Sequence, residues 1–202
     1  MPSSPEHRIA ALVLAAGGSR RLGRPKQLLP YGNGVLLDAV LGTARVAGFA
    51  QIVLALGGAA EAVRRAVDTS GCDVVDNQAF ADGCSSSIAA AIPALHPQTE
   101  AVVLLLGDQP GVTPATVHTL LAARGDAPLA VCQYDDGVGH PFAFHRSLFP
   151  LLARLHGDKA VWKLLEQRAA DVVEVAIPGP IPLDVDTEDD YRQLLAALRS
   201  MR

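Results

Sequence analysis

The run Ile9-Ala10-Ala11-Leu12-Val13-Leu14 is apolar without alternation, the mark of a strand covered on both faces. Such a strand forces a layered architecture, because each of its faces needs an apolar partner. The chain then breaks into Gly17-Gly18-Ser19, gathers Arg20, Arg21, Arg24 and Lys26, and returns to apolar residues at Leu28-Leu29. Glycines allow close backbone approach, and successive N–H groups there form an anion-binding concavity. The four cations add charge that a neutral loop lacks. Together these residues describe a pocket for a polyphosphate; the plainer alternative is a strand-to-helix turn with a solvated basic face.

The rest of the chain repeats the alternation of strand and helix. Helical spacing over Val35–Gly48 precedes a strand at Gln51–Leu56, a helix at Ala59–Val67 and a short strand at Cys72–Val75. Ser85–Leu95 reads as an Ala-rich helix with serines in its first turn, and Ala101–Leu106 as the central strand. Thr113 and Pro114 open a helix to Ala123. Leu129–Gln133 and Pro141–Phe144 read as strands, with Gly139-His140-Pro141 in a polar turn between them. Helices at Leu148–Leu155 and Lys159–Arg168, an edge strand at Val172–Ile177 and a helix capped by Thr187 complete the pattern. A mainly parallel sheet with helices on both faces follows. With no repeat or linker, residues 1–202 are expected to form a single domain.

Charge narrows the ligand. A net charge of −4 argues against a nucleic-acid partner, which needs a basic surface. The basic loop is therefore a local feature suited to a small anion. Three widely spaced cysteines suggest neither a disulfide framework nor a zinc site. With no 18-residue apolar run, no membrane span is expected, and the cytoplasm is the expected location. Asp108 follows the central strand, where an open parallel sheet binds its ligands; a carboxylate there either holds Mg²⁺ beside phosphates or caps the next turn. The loop is neither G-x-x-x-x-G-K-[ST] nor G-x-G-x-x-G, so P-loop hydrolysis and dinucleotide redox chemistry lose their signatures.

LAAGGSRRLGRPKQLL resembles the signature L-A-A-G-x-S-x-R-[ML]-G-x-x-K of the molybdenum cofactor nucleotidyltransferases, and is most similar to the cytidylyltransferase branch. LLLGDQPGV, DGCSSSIAAAI, VGHPFAFHRSLFPLL and LDVDTEDDY resemble four further motifs of that branch, in family order along nearly the whole chain. The resemblance implies a Rossmann-like three-layer α/β/α sandwich of the nucleotide-diphospho-sugar transferase type. It implies a reaction of an NTP, here CTP, with a phosphorylated acceptor such as molybdopterin, releasing pyrophosphate with Mg²⁺ or Mn²⁺ as cofactor. By motif position Ala15, Ala16 and Gly17 would meet base and ribose, and Gly18, Ser19, Arg20 and Arg21 the triphosphate, with Leu14 also among the nucleotide-binding residues. Lys26 would stabilise the α-phosphate, with Arg21 beside it. Asp108 would bind the metal, with Asp184 or Asp186 as second carboxylate. Ser85, Ser86, Ser87 and His140 would face the acceptor. A molybdoenzyme or its maturation chaperone is the implied protein partner.

One position departs from the family pattern. Where the branch often has G-D-x-G-A-R, this chain reads Gly157-Asp158-Lys159-Ala160-Val161-Trp162, which puts the acceptor in question. Three other readings stand beside CMP transfer: guanylyl transfer to the same cofactor, nucleotidyl transfer to a sugar or polyol phosphate, and a non-catalytic chaperone that binds nucleotide or cofactor. Retention of both Lys26 and Asp108 favours catalysis.

Overall fold

A computed structural model describes residues 8–19, 21–157 and 159–200. The chain runs β1 (Ile9–Ala15), a short hairpin of β2 (Pro30–Tyr31) and β3 (Gly34–Val35), α1 (Leu36–Ala47), β4 (Gln51–Leu56), α2 (Ala60–Ala66), β5 (Asp73–Asp76) and α3 (Cys84–Ala91). It continues through β6 (Ala101–Leu106), α4 (Pro114–Arg124), β7 (Leu129–Tyr134), β8 (Gly137–His145), α5 (Phe149–Leu152), α6 (Ala160–Gln167), β9 (Val172–Ala176) and α7 (Glu188–Ser200). Seven strands form one sheet in the order β5-β4-β1-β6-β8-β7-β9. AVVLLL becomes β6, at the middle of the sheet, as its unbroken hydrophobicity demands. β5, β4, β1 and β6 are mutually parallel, β8 runs antiparallel to β6 and β7, and β7 pairs parallel with the edge strand β9.

Side-chain alternation sends each strand's residues into two cores. Ala11, Val13, Leu54, Leu56, Val103 and Leu105 meet α1 and α4 through Leu37, Val40, Leu41, Val117 and Leu120. On the other face Leu12, Val53, Val102, Leu104, Phe142 and Phe144 meet Ile88 of α3, Leu152 of α5 and Val161, Leu164 and Leu165 of α6. Both faces are thus covered, which gives the three layers and the nucleotide-diphospho-sugar transferase fold. Leu104→Ala would remove one such contact from a side chain 2% exposed, at a cost of about 2–5 kcal/mol.

Local chemistry sets the boundaries. Gly48 ends α1 in the left-handed conformation, φ 78°, as a C-terminal glycine does. Thr113 Oγ1 accepts the Thr116 N–H at the start of α4, and Thr187 with Asp190 forms a reciprocal cap on α7. Three expectations are corrected. The helix expected over Ser85–Leu95 is α3 only to Ala91, continuing as a 3-10 turn at Ile92–Ala94, because Pro93 lacks the N–H that would extend the α-helical ladder. Its N-cap is Gly83, with no side-chain cap. Gly139-His140-Pro141 lies inside the nine-residue strand β8, not in a turn; the turn is at Asp135-Asp136. The helix expected over Leu148–Leu155 shortens to α5, with a 3-10 turn before it at Arg146–Leu148.

Candidate active site

The parallel strands β1 and β6 end side by side, and their following loops build one wall of a cavity of about 570 Å³. The two ends are held unusually close. Gly107 N–H donates to Leu14 O at 2.9 Å, and a Cβ on Gly107 would fall 2.9 Å from Ala15 Cβ, so only glycine fits there. The basic loop is folded on itself. Ser19, at φ 48°, accepts the Lys26 N–H on its Oγ at 2.9 Å. Buried Gln27 donates to Ala15 O at 2.7 Å and to Gly17 O at 3.1 Å. These bonds direct the loop's cations across the strand ends.

Lys26 Nζ contacts Asp108 and donates to Asp186 Oδ1 at 2.8 Å. Asp186 Oδ2 in turn accepts from Arg21 at 2.5 Å. Asp108 is 8% exposed, and burying an unpaired carboxylate or ammonium is costly, so the groups neutralise one another. Burial alone would lower the Lys26 amine, but the Asp108 and Asp186 carboxylates outweigh it and raise it above its ordinary value. Burial raises Asp108, against the charge of Lys26, and nearby Asp184 adds to the rise. Burial would also raise Asp186, yet Lys26 and Arg21 bring it below the usual carboxylate range. Gln109, from the same D-Q-P turn, donates to Pro182 O, and Val185 N–H donates to Asp108 O at 3.3 Å. That ties the terminal Asp184–Asp186 segment to the end of β6.

Two carboxylates that converge on one ammonium converge on a point suited to a small cation. Among the described residues no group of three or more His, Cys, Asp or Glu forms a metal site. Asp108 and Asp186 could offer such a cation two carboxylates, a number that Mg²⁺ accepts beside phosphate and water oxygens.

The expected residues come together unevenly. Leu14, Ala16, Gly17, Gly18, Ser19, Arg21 and Lys26 line the cavity with Asp108, Asp184 and Asp186. Ala15 is behind the loop and supplies its carbonyl to Gln27. Arg20 lies outside the described residues. Of the three serines assigned to the acceptor, Ser87 lines the cavity; Ser85 and Ser86 do not. The cavity lining also carries residues that charge patterning does not reveal, Phe80, Ala81 and Gly83 among them. Phe80 presses on Gly57-Gly58, where an added Cβ would come within 2.8 Å of its ring or Cβ. The Gly-Gly pair closing β4 was the available sequence signal for this contact.

His140 is not among the cavity-lining residues. Its ring stacks on Phe142 at 4.1 Å and meets Trp162 edge-on at 6.4 Å. Burial lowers it to about 4, so it is neutral near pH 7 and cannot serve there as a cation for a phosphate. Trp162, 39% exposed, joins this aromatic group through Phe142 at 5.3 Å.

Residues 11–172 match the MobA-like NTP transferase domain. The chain is 30% identical to the molybdenum cofactor cytidylyltransferase of Escherichia coli, over 91% of this chain and 93% of that protein. It is also 30% identical to nicotine blue oxidoreductase of Paenarthrobacter nicotinovorans, over 93% and 96% of the two chains. Rv0371c of Mycobacterium tuberculosis H37Rv, solved as a complex with manganese, superposes with a TM-score of 0.86 at 49% identity, over 94% of this chain and 99% of that one.

Proposed function

The chain belongs to the MobA-like NTP transferase family, and on that premise we propose that it transfers CMP from CTP to molybdopterin or a related phosphorylated acceptor, releasing pyrophosphate. It is a nucleotidyltransferase; the base and the acceptor are the proposed part. The observation that carries the reading is Lys26 bridging Asp108 and Asp186 at the mouth of the glycine loop.

In-line attack on the α-phosphorus requires alignment and charge neutralisation more than an acid or base. The Gly17–Ser19 backbone cradles phosphate oxygens, and Arg21 holds the β- and γ-phosphates. Lys26 meets the charge that grows at the α-phosphate as the bond to pyrophosphate breaks. Asp108 and Asp186, with Asp184 nearby, would hold a divalent cation, Mg²⁺ or Mn²⁺, whose charge lowers the cost of bringing an anionic acceptor to the triphosphate. The manganese complex of the mycobacterial relative supports a divalent metal in this fold.

The Ala15-Ala16 pair and the Escherichia coli relative favour CTP; GTP is the nearest alternative. The G-H-P and D-Q-P elements favour molybdopterin over a sugar or polyol phosphate. The product would pass to a molybdoenzyme or its maturation chaperone. The test is pyrophosphate release with Mg²⁺ and Mo-molybdopterin, offering CTP, GTP, ATP and UTP separately. Release with CTP alone supports the reading. Release with GTP alone replaces the base, and no release with any of the four points to Trp162 and replaces molybdopterin as acceptor.

A further inference from the structure

The cavity lies over the ends of β1 and β6 and reaches Phe80 and Gly83, which follow β5. In the sheet order β5-β4-β1-β6-β8, the next strand beyond it is β8. An acceptor that meets the α-phosphorus beside Lys26 and Asp108, with nucleotide filling the cavity, must rest its remaining atoms outside. The start of β8 is the neighbouring surface. There His140 stands two residues before Phe142, which pairs with Leu104 of β6. Two residues further along β6, Leu106 lines the cavity and packs on the same core as Phe142.

The backbone at His140 is bulged. Val131 pairs with Phe142 and Cys132 with Gly139, so His140 and Pro141 have no partner on β7. A bulge re-aims a side chain, and here the imidazole lies on Phe142, 28° from parallel. The Tyr134 hydroxyl donates to His140 O at 2.7 Å and holds the bulge in place. Trp162 of α6 stands across both rings, at 85° to His140 and 89° to Phe142. Among the described residues no ring stacks flat on the indole, and neither the indole N–H nor the imidazole makes a hydrogen bond. Val161, Leu164 and Leu165 already bury the core face of α6, so packing does not require an indole at 162. Val46 and Leu151 are also exposed, but neither carries a ring that others hold upright.

Resting on the nucleotidyl-transfer reading above, we propose that Trp162 is a specificity-determining residue: with His140 it forms a shelf for the flat heteroaromatic ring of the acceptor, whose phosphate points toward Lys26 and Asp108. An indole and a heteroaromatic ring gain from offset stacking. The free indole N–H and the imidazole nitrogens, one donating and one accepting, meet the polar edge of such a ring. Burial keeps His140 neutral near pH 7, which suits an uncharged ring of the pterin class. A polyol phosphate carries the same anion without a ring and gains nothing from the shelf.

The test is titration calorimetry with two probes, pterin-6-ylmethyl phosphate and mannitol 1-phosphate. Each is added to the full chain holding Mg²⁺ and α,β-methylene CTP, which cannot release pyrophosphate. Wild type, Trp162→Leu and Trp162→Phe are compared. The expected result is that wild type prefers the pterin, that Trp162→Leu weakens the pterin about tenfold, and that Trp162→Phe recovers most of the loss. Binding of mannitol 1-phosphate and of the CTP analogue should be the same in all three. Trp162 is the chain's one tryptophan, so quenching of its emission by the pterin, and not by mannitol 1-phosphate, reads the shelf in the wild-type chain. Unchanged pterin binding in Trp162→Leu, equal weakening of both probes, or equal wild-type affinity for both would overturn the inference, as would binding of the CTP analogue without any binding of the pterin. Absence of CTP-analogue binding to the wild-type chain would overturn the nucleotidyl-transfer reading and the inference with it.

Discussion

At one end of the cavity, Lys26 reaches a carboxylate 160 residues away; at the other, Asn77 reaches serines at most ten residues on. The charged end is assembled by the fold, from β1, β6 and the segment before α7, and holds together because each buried charge needs an opposite one. The neutral end is assembled by the chain's local path, through one turn and the first turn of α3, and holds together because each buried polar atom needs a defined partner. A phosphate can be met by any well-placed cation.

The largest expected effect breaks the charged end. Lys26→Ala should lower turnover about a thousandfold, the scale of losing a preorganised charge contact in a transition state, with a smaller change in nucleotide affinity. Equal losses in both would make Lys26 a binding residue only. Lys26→Met should also move the metal in the opposite sense: with the ammonium gone from Asp108 and Asp186, Mn²⁺ binding without nucleotide, followed by titration calorimetry, should tighten.

A smaller effect comes from the uncharged aromatic side. His140 has its ordinary value of 6.5 in the unfolded chain and about 4 in the folded one. Between those values the unfolded state takes up a proton that the folded state does not. The stability from keeping this ring neutral is complete above pH 6.5 and is lost as pH falls toward 4, by at most about 3 kcal/mol. Denaturant unfolding of His140→Gln should show a flatter dependence than wild type across that window; identical slopes would refute a buried neutral imidazole.

Next comes the contact behind Phe80, which lines the cavity. Gly57→Ala puts a Cβ 2.5 Å from Ala16 O and 2.8 Å from Phe80 Cβ. It should cost about 1–3 kcal/mol, as overpacking does, and weaken nucleotide binding by displacing Phe80. Unchanged melting and affinity would mean that the Gly57-Gly58 seat is dispensable. The smallest effect serves as a control. Arg24 pairs with Glu188 at 2.6 Å, but both side chains are about half exposed, so Arg24→Ala should cost under about 1 kcal/mol and leave turnover intact.

The same contrast explains what could be read from the sequence. The sheet was legible because AVVLLL and the β1 run tolerate no exposed face, and the charged end because the basic loop and Asp108 follow two such strands. Asp186 was brought to the same site only by its motif, and its bond to Lys26 was not legible, since no spacing announces a contact between a basic loop and the entrance to a later helix. The neutral end was hidden more deeply. Asn77 and Phe80 carry no charge, and their roles depend on hydrogen-bond direction and on the space above two glycines. His140 was misplaced into a turn because Gly139 and Pro141 read as punctuation, whereas the antiparallel pairing of β7 with β8 keeps Gly139 in register with Cys132.

Nucleotidyl transfer to a phosphorylated acceptor is tested most directly by following two labels from one CTP, the α-phosphate and the γ-phosphate, in wild-type protein and Asp108→Ala. The expected result is α-label retained in an acceptor-linked product and γ-label in pyrophosphate, both lost in Asp108→Ala. Label from the γ-phosphate on the acceptor, or transfer that persists undiminished in Asp108→Ala, would contradict the assignment of the Lys26–Asp108–Asp186 end as the centre of the reaction.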